Sequence, residues 1–268
     1  MNGALQLGPL ALPLPPLLLL LAAMAGLWVG RRAGRRADVD PEPALWRMLL
    51  LGLVAARLSF VWVWREAYLA QPWSVLDIRD GGFDPAIGWA AAALYAVAAV
   101  RRQPALRRAL AAGGLATLAL WSAGSVWLWS QQAQRTPLPA LSLARLEGGS
   151  VDLRSYAGKP TVLNLWATWC PPCRREMPLL QRAQAAHPQV NFVFVNQGET
   201  AEAVRGYLQQ QGLPLQQVLL DPSMRAGAVF QQRGLPTTLF FDAEGRLVSS
   251  RMGELSEAVL AQRMQRLR

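Results

Sequence analysis

The chain's only two cysteines stand two residues apart, in Trp169-Cys170-Pro171-Pro172-Cys173. Ahead of them runs an apolar, β-prone stretch, Thr161-Val162-Leu163-Asn164-Leu165-Trp166. Behind them Arg174-Arg175-Glu176-Met177 opens a helical pattern that continues to about Ala186. A strand running into a helix puts Cys170 at or just before the first helical turn. There the unpaired backbone N–H groups and the positive end of the helix dipole favour a thiolate. Pro171 and Pro172 have no N–H to donate, which costs little in a first turn whose donors lack partners anyway. Such a dithiol exchanges disulfides: Cys170 attacks, and Cys173 resolves the mixed disulfide from inside. Zinc fits poorly, because it takes four ligands and the chain offers two cysteines and the single His187. A purely structural disulfide across so short a loop would constrain little of the unfolded chain. Two free, inert thiols are the remaining alternative.

Apolar residues make up 52% of the chain, and they are concentrated before residue 130. Leu10–Gly30, Ala44–Trp64, Pro85–Val100 and Ala109–Trp129 are four candidate spans, three of them near the ~20 residues needed to cross a bilayer. Arg31, Arg32, Arg35 and Arg36 follow the first span, and Arg101, Arg102, Arg107 and Arg108 follow the third. The positive-inside rule makes both clusters cytoplasmic and both termini external. The expected organisation is a four-helix transmembrane region over 1–130, a tether over 131–139 containing two prolines, and a redox domain over 140–268. The net charge of +10 includes these eight topology arginines. The remaining charge forms no aromatic-interleaved basic patch, which argues against nucleic acid as a partner. Span one could be a cleaved signal, given Ala23-Met24-Ala25. Its basic residues follow the apolar run rather than precede it, which is backwards for a signal. Arg57 lies inside span two, where a charge is costly. It is either functional or paired within the bundle.

The run from Gly158 to Pro178, through Gly158-Lys159-Pro160 and Trp169-Cys170-Pro171-Pro172-Cys173-Arg174-Arg175-Glu176, resembles the TlpA/ResA/CcmG group. Val195-Asn196-Gln197-Gly198-Glu199 and Gly234-Leu235-Pro236-Thr237-Thr238 extend the likeness over about residues 138–267. That group consists of membrane-tethered, thioredoxin-fold thiol–disulfide oxidoreductases of the bacterial envelope. The resemblance implies a thioredoxin-like α/β domain with a central mixed sheet, placed outside the inner membrane, in the periplasm. It also implies no cofactor beyond the Cys170–Cys173 pair and a cis bond before Pro236 that turns Leu235 toward the cysteines. Glu199 is then an acid near the disulfide that could exchange a proton with Cys173, or a cap of the following helix. Asn196 has weaker support as a site residue. Trp169, Pro171, Pro172, Leu235, Pro236 and Thr237 are the expected client contacts. Trp169 either shields the sulfur edge or belongs to the core, and Trp166 is expected in the core.

The first half carries a second, fainter likeness. Leu7-Gly8-Pro9-Leu10-Ala11-Leu12, Ala56-Arg57-Leu58-Ser59-Phe60-Val61 and Trp73-Ser74-Val75-Leu76-Asp77 with Gly81-Gly82 resemble the first half of prolipoprotein diacylglyceryl transferase. That family's histidine-glycine-glycine motif is replaced by Phe83-Asp84-Pro85-Ala86, and its second half is not found. A scaffold without the lipid-transfer chemistry is the expectation, with membrane lipid around it.

Within the redox domain the expected order begins with a hairpin around Glu147-Gly148-Gly149-Ser150 and continues with the strand into the cysteine helix, kinked at Pro178. A buried strand Val190–Val195 follows, then a helix Thr200–Gln211 capped by Thr200 and stopped by Gly212, and a short strand Gln217–Leu220. A helix Ser223–Gln232, the pair Thr237–Phe241 and Arg246–Ser250, and a final helix Ser256–Leu267 complete it. Pro172, standing where a histidine would help make a strong oxidant, points toward a reductase of protein disulfides such as those of apocytochromes. That reading needs protein thiol or disulfide clients and a membrane thiol protein as electron donor. The alternatives are an envelope oxidase or isomerase, and a membrane scaffold or lipid-binding protein whose redox domain senses.

Overall fold

Proline, glycine and arginine mark out the helices of the first half. A computed structural model describes residues 4–7, 10–35, 39–69, 72–77, 81–132, 137–232 and 234–267. The chain divides into two compact units, Gly3–Ser130 and Gln131–Arg268. In the first, β1 (Ala4–Leu7) and β2 (Leu10–Pro13) pair antiparallel, and α1 (Leu14–Arg35) starts only after Pro13. The start of span one is therefore a strand, not a helix. Next come α2 (Glu42–Val63), the short α3 (Arg65–Leu69), α4 (Pro85–Arg102) and α5 (Arg107–Gln132). Asp84 and Pro85, in the place of the transferase histidine motif, begin α4. The Asp84 carboxylate accepts from the Ala86 and Ile87 N–H groups at 3.0 and 3.3 Å, and Pro85 takes a first-turn position that needs no N–H.

These helices meet through small residues, as expected where packing rather than the hydrophobic effect drives association. A Cβ added to Gly88 of α4 would lie 2.9 Å from the Gly52 carbonyl oxygen of α2. One added to Gly113 of α5 would lie 2.8 Å from that of Gly26 of α1. Among the described residues three segments, Leu14–Arg35, Glu42–Val63 and Pro104–Leu128, are long and apolar enough to cross a membrane. The third expected span, α4, has 18 residues and ends on Arg101 and Arg102, and it falls short of that measure.

Arg57 is buried in α2, and its guanidinium is taken up by carbonyls. It donates to the oxygens of Val75 at 2.9 Å, Gly82 at 2.8 Å, Asp77 at 3.1 Å and Ser74 at 3.3 Å, with the rings of Tyr68 and Phe83 within 6 Å of its carbon. Of the two readings of this arginine, the paired one describes what is found.

The second unit is built on a seven-stranded mixed sheet in the order β4-β3-β7-β6-β5-β8-β9. Its strands are β3 (Ser142–Arg145), β4 (Ser150–Asp152), β5 (Thr161–Trp166), β6 (Asn191–Gln197), β7 (Val218–Asp221), β8 (Thr237–Phe241) and β9 (Leu247–Met252). The near-continuous apolar runs of β5 and β6 pair in parallel from Thr161↔Asn191 to Trp166↔Asn196 and are buried on both faces. β8 pairs antiparallel with β5 on the other side. Leu163, Leu165, Val193, Val195, Leu239 and Phe241 form the centre of the core.

Helix α6 (Pro171–Ala186) follows β5 and runs through Pro178. Helix α7 (Ala201–Gln211) is capped by the Thr200 hydroxyl and stopped at Gly212, whose φ of 61° suits a residue without Cβ. The expected helix Ser223–Gln232 is corrected to a five-residue α8 (Arg225–Val229). Met224 and Gln231 take positive φ values of 50° and 54°, conformations in which a right-handed helix cannot continue. α9 (Glu257–Gln265) closes the unit. Pro137 bridges to Arg246, and the Leu138 N–H donates to the Gly245 oxygen at 2.8 Å, so the end of the expected tether is tied to the β8–β9 turn. The middle of that tether, 133–136, lies outside the described residues.

Candidate active site

The geometry of the cysteine turn follows from β5 ending at Trp166 and α6 starting at Pro171. Cys170 is the N-cap residue of α6, with extended backbone, and its Sγ accepts from the Cys173 N–H at 3.3 Å. The two are joined as a disulfide. Cys173 is fully enclosed, and Cys170 is 3% exposed. Access to Cys170 is through a groove of about 820 Å³. Trp169, Cys170, Pro171, Pro172 and Leu235 line one part of it. Gln197 and the α8 segment, with Met224, Gly227 and Gln231, line the rest.

The expected site residues divide into groups. Trp169 is 66% exposed at the groove and is no core aromatic, whereas Trp166 is fully buried. The Leu235–Pro236 bond is cis. Leu235 faces the groove. Pro236 and Thr237 are buried behind it, the Pro236 oxygen accepting from the Gly253 N–H at 2.9 Å and the Thr237 hydroxyl donating to the Gly234 oxygen at 2.7 Å. Glu199 is half-buried. One oxygen accepts from the Thr168 N–H and the Asn196 side chain, each at 2.7 Å, and the other from the Thr168 hydroxyl. It thus clamps the loop that leads into Trp169, and Thr200, not Glu199, caps α7. Arg174 stacks over the Tyr207 ring at 5.7 Å and Arg175 pairs with Glu254 at 2.7 Å. Among the described residues no group of three or more His, Cys, Asp or Glu is arranged to hold a metal ion.

Glu176 is the site residue that the sequence reading passed over. It is 1% exposed, three residues past Cys173 on the same helical face. Burial pushes its carboxyl up to about 7, against the opposing hydrogen bonds from Asn164 Nδ2 at 2.8 Å and the Leu255 N–H at 3.0 Å. A signal existed: Cys173, Glu176, Met177, Leu180 and Ala183 form one helical stripe, so an acid in second place is an acid in the core.

Comparison with known proteins matches both halves. The Redoxin family model matches residues 133–262, and that of prolipoprotein diacylglyceryl transferase matches residues 2–122. The thiol-disulfide oxidoreductase ResA of Halalkalibacterium halodurans is 31% identical over 125 residues, covering 46% of this chain and 70% of the relative. The thiol:disulfide interchange protein DsbE of Allochromatium vinosum is 33% identical over 131 residues, covering 48% and 72%. A secreted disulfide oxidoreductase of Mycobacterium tuberculosis, homologous to E. coli DsbE, aligns with a TM-score of 0.44 at 27% identity, over 48% of this chain and 96% of that one. Helices apolar enough to cross a bilayer, joined to a domain of this kind, make the chain a membrane protein with an oxidoreductase domain. Through its second half, with the Cys170–Cys173 disulfide at the head of α6, it belongs to the ResA family of thiol-disulfide oxidoreductases.

Proposed function

We propose that the chain reduces protein disulfides on the outer side of a bacterial inner membrane, with Cys170 as the attacking and Cys173 as the resolving thiol. The observation that carries this reading is the inequality of the two sulfurs: Cys170 borders the groove, and Cys173 is sealed beneath it. The Cys170 thiolate attacks one sulfur of a client disulfide and expels the other as a thiolate. Cys173 then loses its proton and attacks Cys170, and the second client thiol leaves as the internal disulfide forms. Two electrons have passed to the client, and a membrane thiol protein returns them by the reverse exchange. In the sealed site the proton of Cys173 needs a protein acceptor. Glu176, a carboxyl near pKa 7 on the same helical face, supports that role. Glu199 positions the loop before Trp169 through its bonds to Thr168 and Asn196.

Trp169, Pro171, Pro172 and Leu235 contact the client in this reading, and Pro236 and Thr237 hold the loop from behind. The arginines at the end of α1 and around Arg101–Arg108 support a topology with four crossings and both termini outside, α4 being the shortest crossing. Residues 131–139 then tether the redox domain, and apocytochrome disulfides are the client class that the family likeness favours. The reduction potential of the purified full chain in detergent, equilibrated against glutathione, tests the direction of transfer. The reductase reading expects a value nearer thioredoxin's, about −270 mV, and a value above roughly −150 mV would assign an oxidase instead.

A further inference from the structure

Gln197, at the end of β6, is 3% exposed and lines the groove beside Cys170. Its carboxamide has one fixed orientation. The fully buried Asp221 at the end of β7 accepts at Oδ1 from the Arg225 N–H at 3.0 Å. At Oδ2 it accepts from the Ala226 N–H at 2.7 Å and from Gln197 Nε2 at 3.1 Å. A carboxylate so placed only accepts, so the amide must turn its NH₂ to Asp221 and its oxygen the other way. Gln197 Oε1 accepts from no donor among the described residues, and it is not among the unpartnered polar atoms sealed from solvent. Above it Gly227, which also lines the groove, has no side chain. A Cβ there would lie 3.4 Å from that oxygen. The result is an anchored, accessible acceptor set into the wall of the groove that Leu235 also lines.

We propose that Gln197 determines client specificity. Its Oε1 accepts a hydrogen bond from a neutral side-chain donor on the client residue next to the attacked cysteine, and the same oxygen disfavours an acid there. The proposal rests on the reductase reading and deepens it. A site built to hydrogen-bond a substrate group discriminates against an analogue that leaves its polar atom unpaired. Among the described residues, the rest of the lining on that side is Met224, Gly227, Ala228, Gln231 and Gln232, which offers an incoming donor no competing charge. Asp221 acts only through Gln197, as a positioning residue.

The test uses the full chain in detergent and three disulfide peptides differing in one residue beside the cysteine: Asn, Leu or Asp. They are reduced in competition, so that the ratio of kcat/KM values does not depend on the fraction of active protein. The wild type should prefer Asn to Leu by roughly 3- to 10-fold, the range of one net neutral hydrogen bond, and should rank Asp last. Gln197→Met should bring the Asn-to-Leu ratio close to one. Gly227→Ala puts a methyl group 3.4 Å from the oxygen, and 3.0 Å from the Gln232 carbonyl oxygen, with the Asp221 anchor in place; it should lower the same ratio and carries the test if Gln197→Met does not fold. A wild type that reduces all three peptides alike, or a Gln197→Met chain that keeps the full preference, overturns the proposal and leaves the reductase reading standing. A wild type that reduces none of them while oxidising their dithiol forms contradicts the reductase reading itself.

Discussion

Asn164, in the middle of β5, donates from Nδ2 to Glu176 Oε1 across 2.8 Å, tying the central strand to the helix that carries both cysteines. The same amide donates to the Thr238 hydroxyl at 3.0 Å on β8, the strand that leaves the cis-proline loop. Strand, cysteine helix and client loop therefore share one buried polar junction. A rigid junction matters for exchange chemistry, because three sulfurs must come into line for each transfer.

This junction makes stability depend on pH. Burial raises the Glu176 carboxyl from 4.5 to about 7, so the folded chain holds that proton more tightly than the unfolded one. Its contribution is complete below pH 4.5 and is lost as pH rises through 7. The displacement corresponds to roughly 3 kcal/mol at most. Hydrogen-exchange protection of the β5 amides should fall between pH 5 and pH 8 in the wild type, beyond the change in intrinsic exchange, and should fall far less in Glu176→Gln. Equal slopes in the two proteins would assign the pH dependence to other groups. The resolving step should also lose its titration near pH 7 in Glu176→Gln.

Glu199 should act on order more than on chemistry. Glu199→Ala would leave the Thr168 N–H and the Asn196 amide without their acceptor, at a cost of about 1–3 kcal/mol. Urea unfolding of the redox domain, followed by β6 amide exchange, should show that loss with an unchanged urea slope. Stability within about 0.5 kcal/mol of wild type would mean that water replaces the carboxylate.

The proposed topology gives opposite signals at two sites. Alkaline phosphatase joined after Gln131 should be active, and joined after Arg102 it should be inactive. Activity at Arg102 with none at Gln131 would reverse the orientation, and α4 is the helix whose crossing decides the outcome.

Local patterns carried much of the fold. The runs of β5 and β6, the Thr200 cap and the Gly212 stop of α7 lie in short windows of sequence, and so does the strand–turn–helix around the cysteines. What was missed depended on backbone or on partners far along the chain. Nothing in Met224 or Gln231 announces a positive φ, so α8 read as twice its length. Glu176 was passed over because its partners, Asn164 and Leu255, stand 12 and 79 positions away. Gln197 drew no reading of its own within Val195-Asn196-Gln197-Gly198-Glu199. Its meaning comes from Asp221, 24 residues on, which turns the amide. At the other end of the chain, Pro15 and Pro16, which a helix accepts only in its first turn, rather than apolarity set where α1 can begin.

The order of attack is the central claim, and trapping measures it directly. The full-length Cys173→Ser chain, incubated with a disulfide-bonded client peptide, should accumulate a mixed disulfide, and peptide mapping by mass spectrometry should place it on Cys170. Cys170→Ser should form almost none, because the sealed Cys173 does not reach the groove. Mixed disulfide that accumulates on Cys173 in the Cys170→Ser chain, with little on Cys170 in the converse variant, would contradict the account.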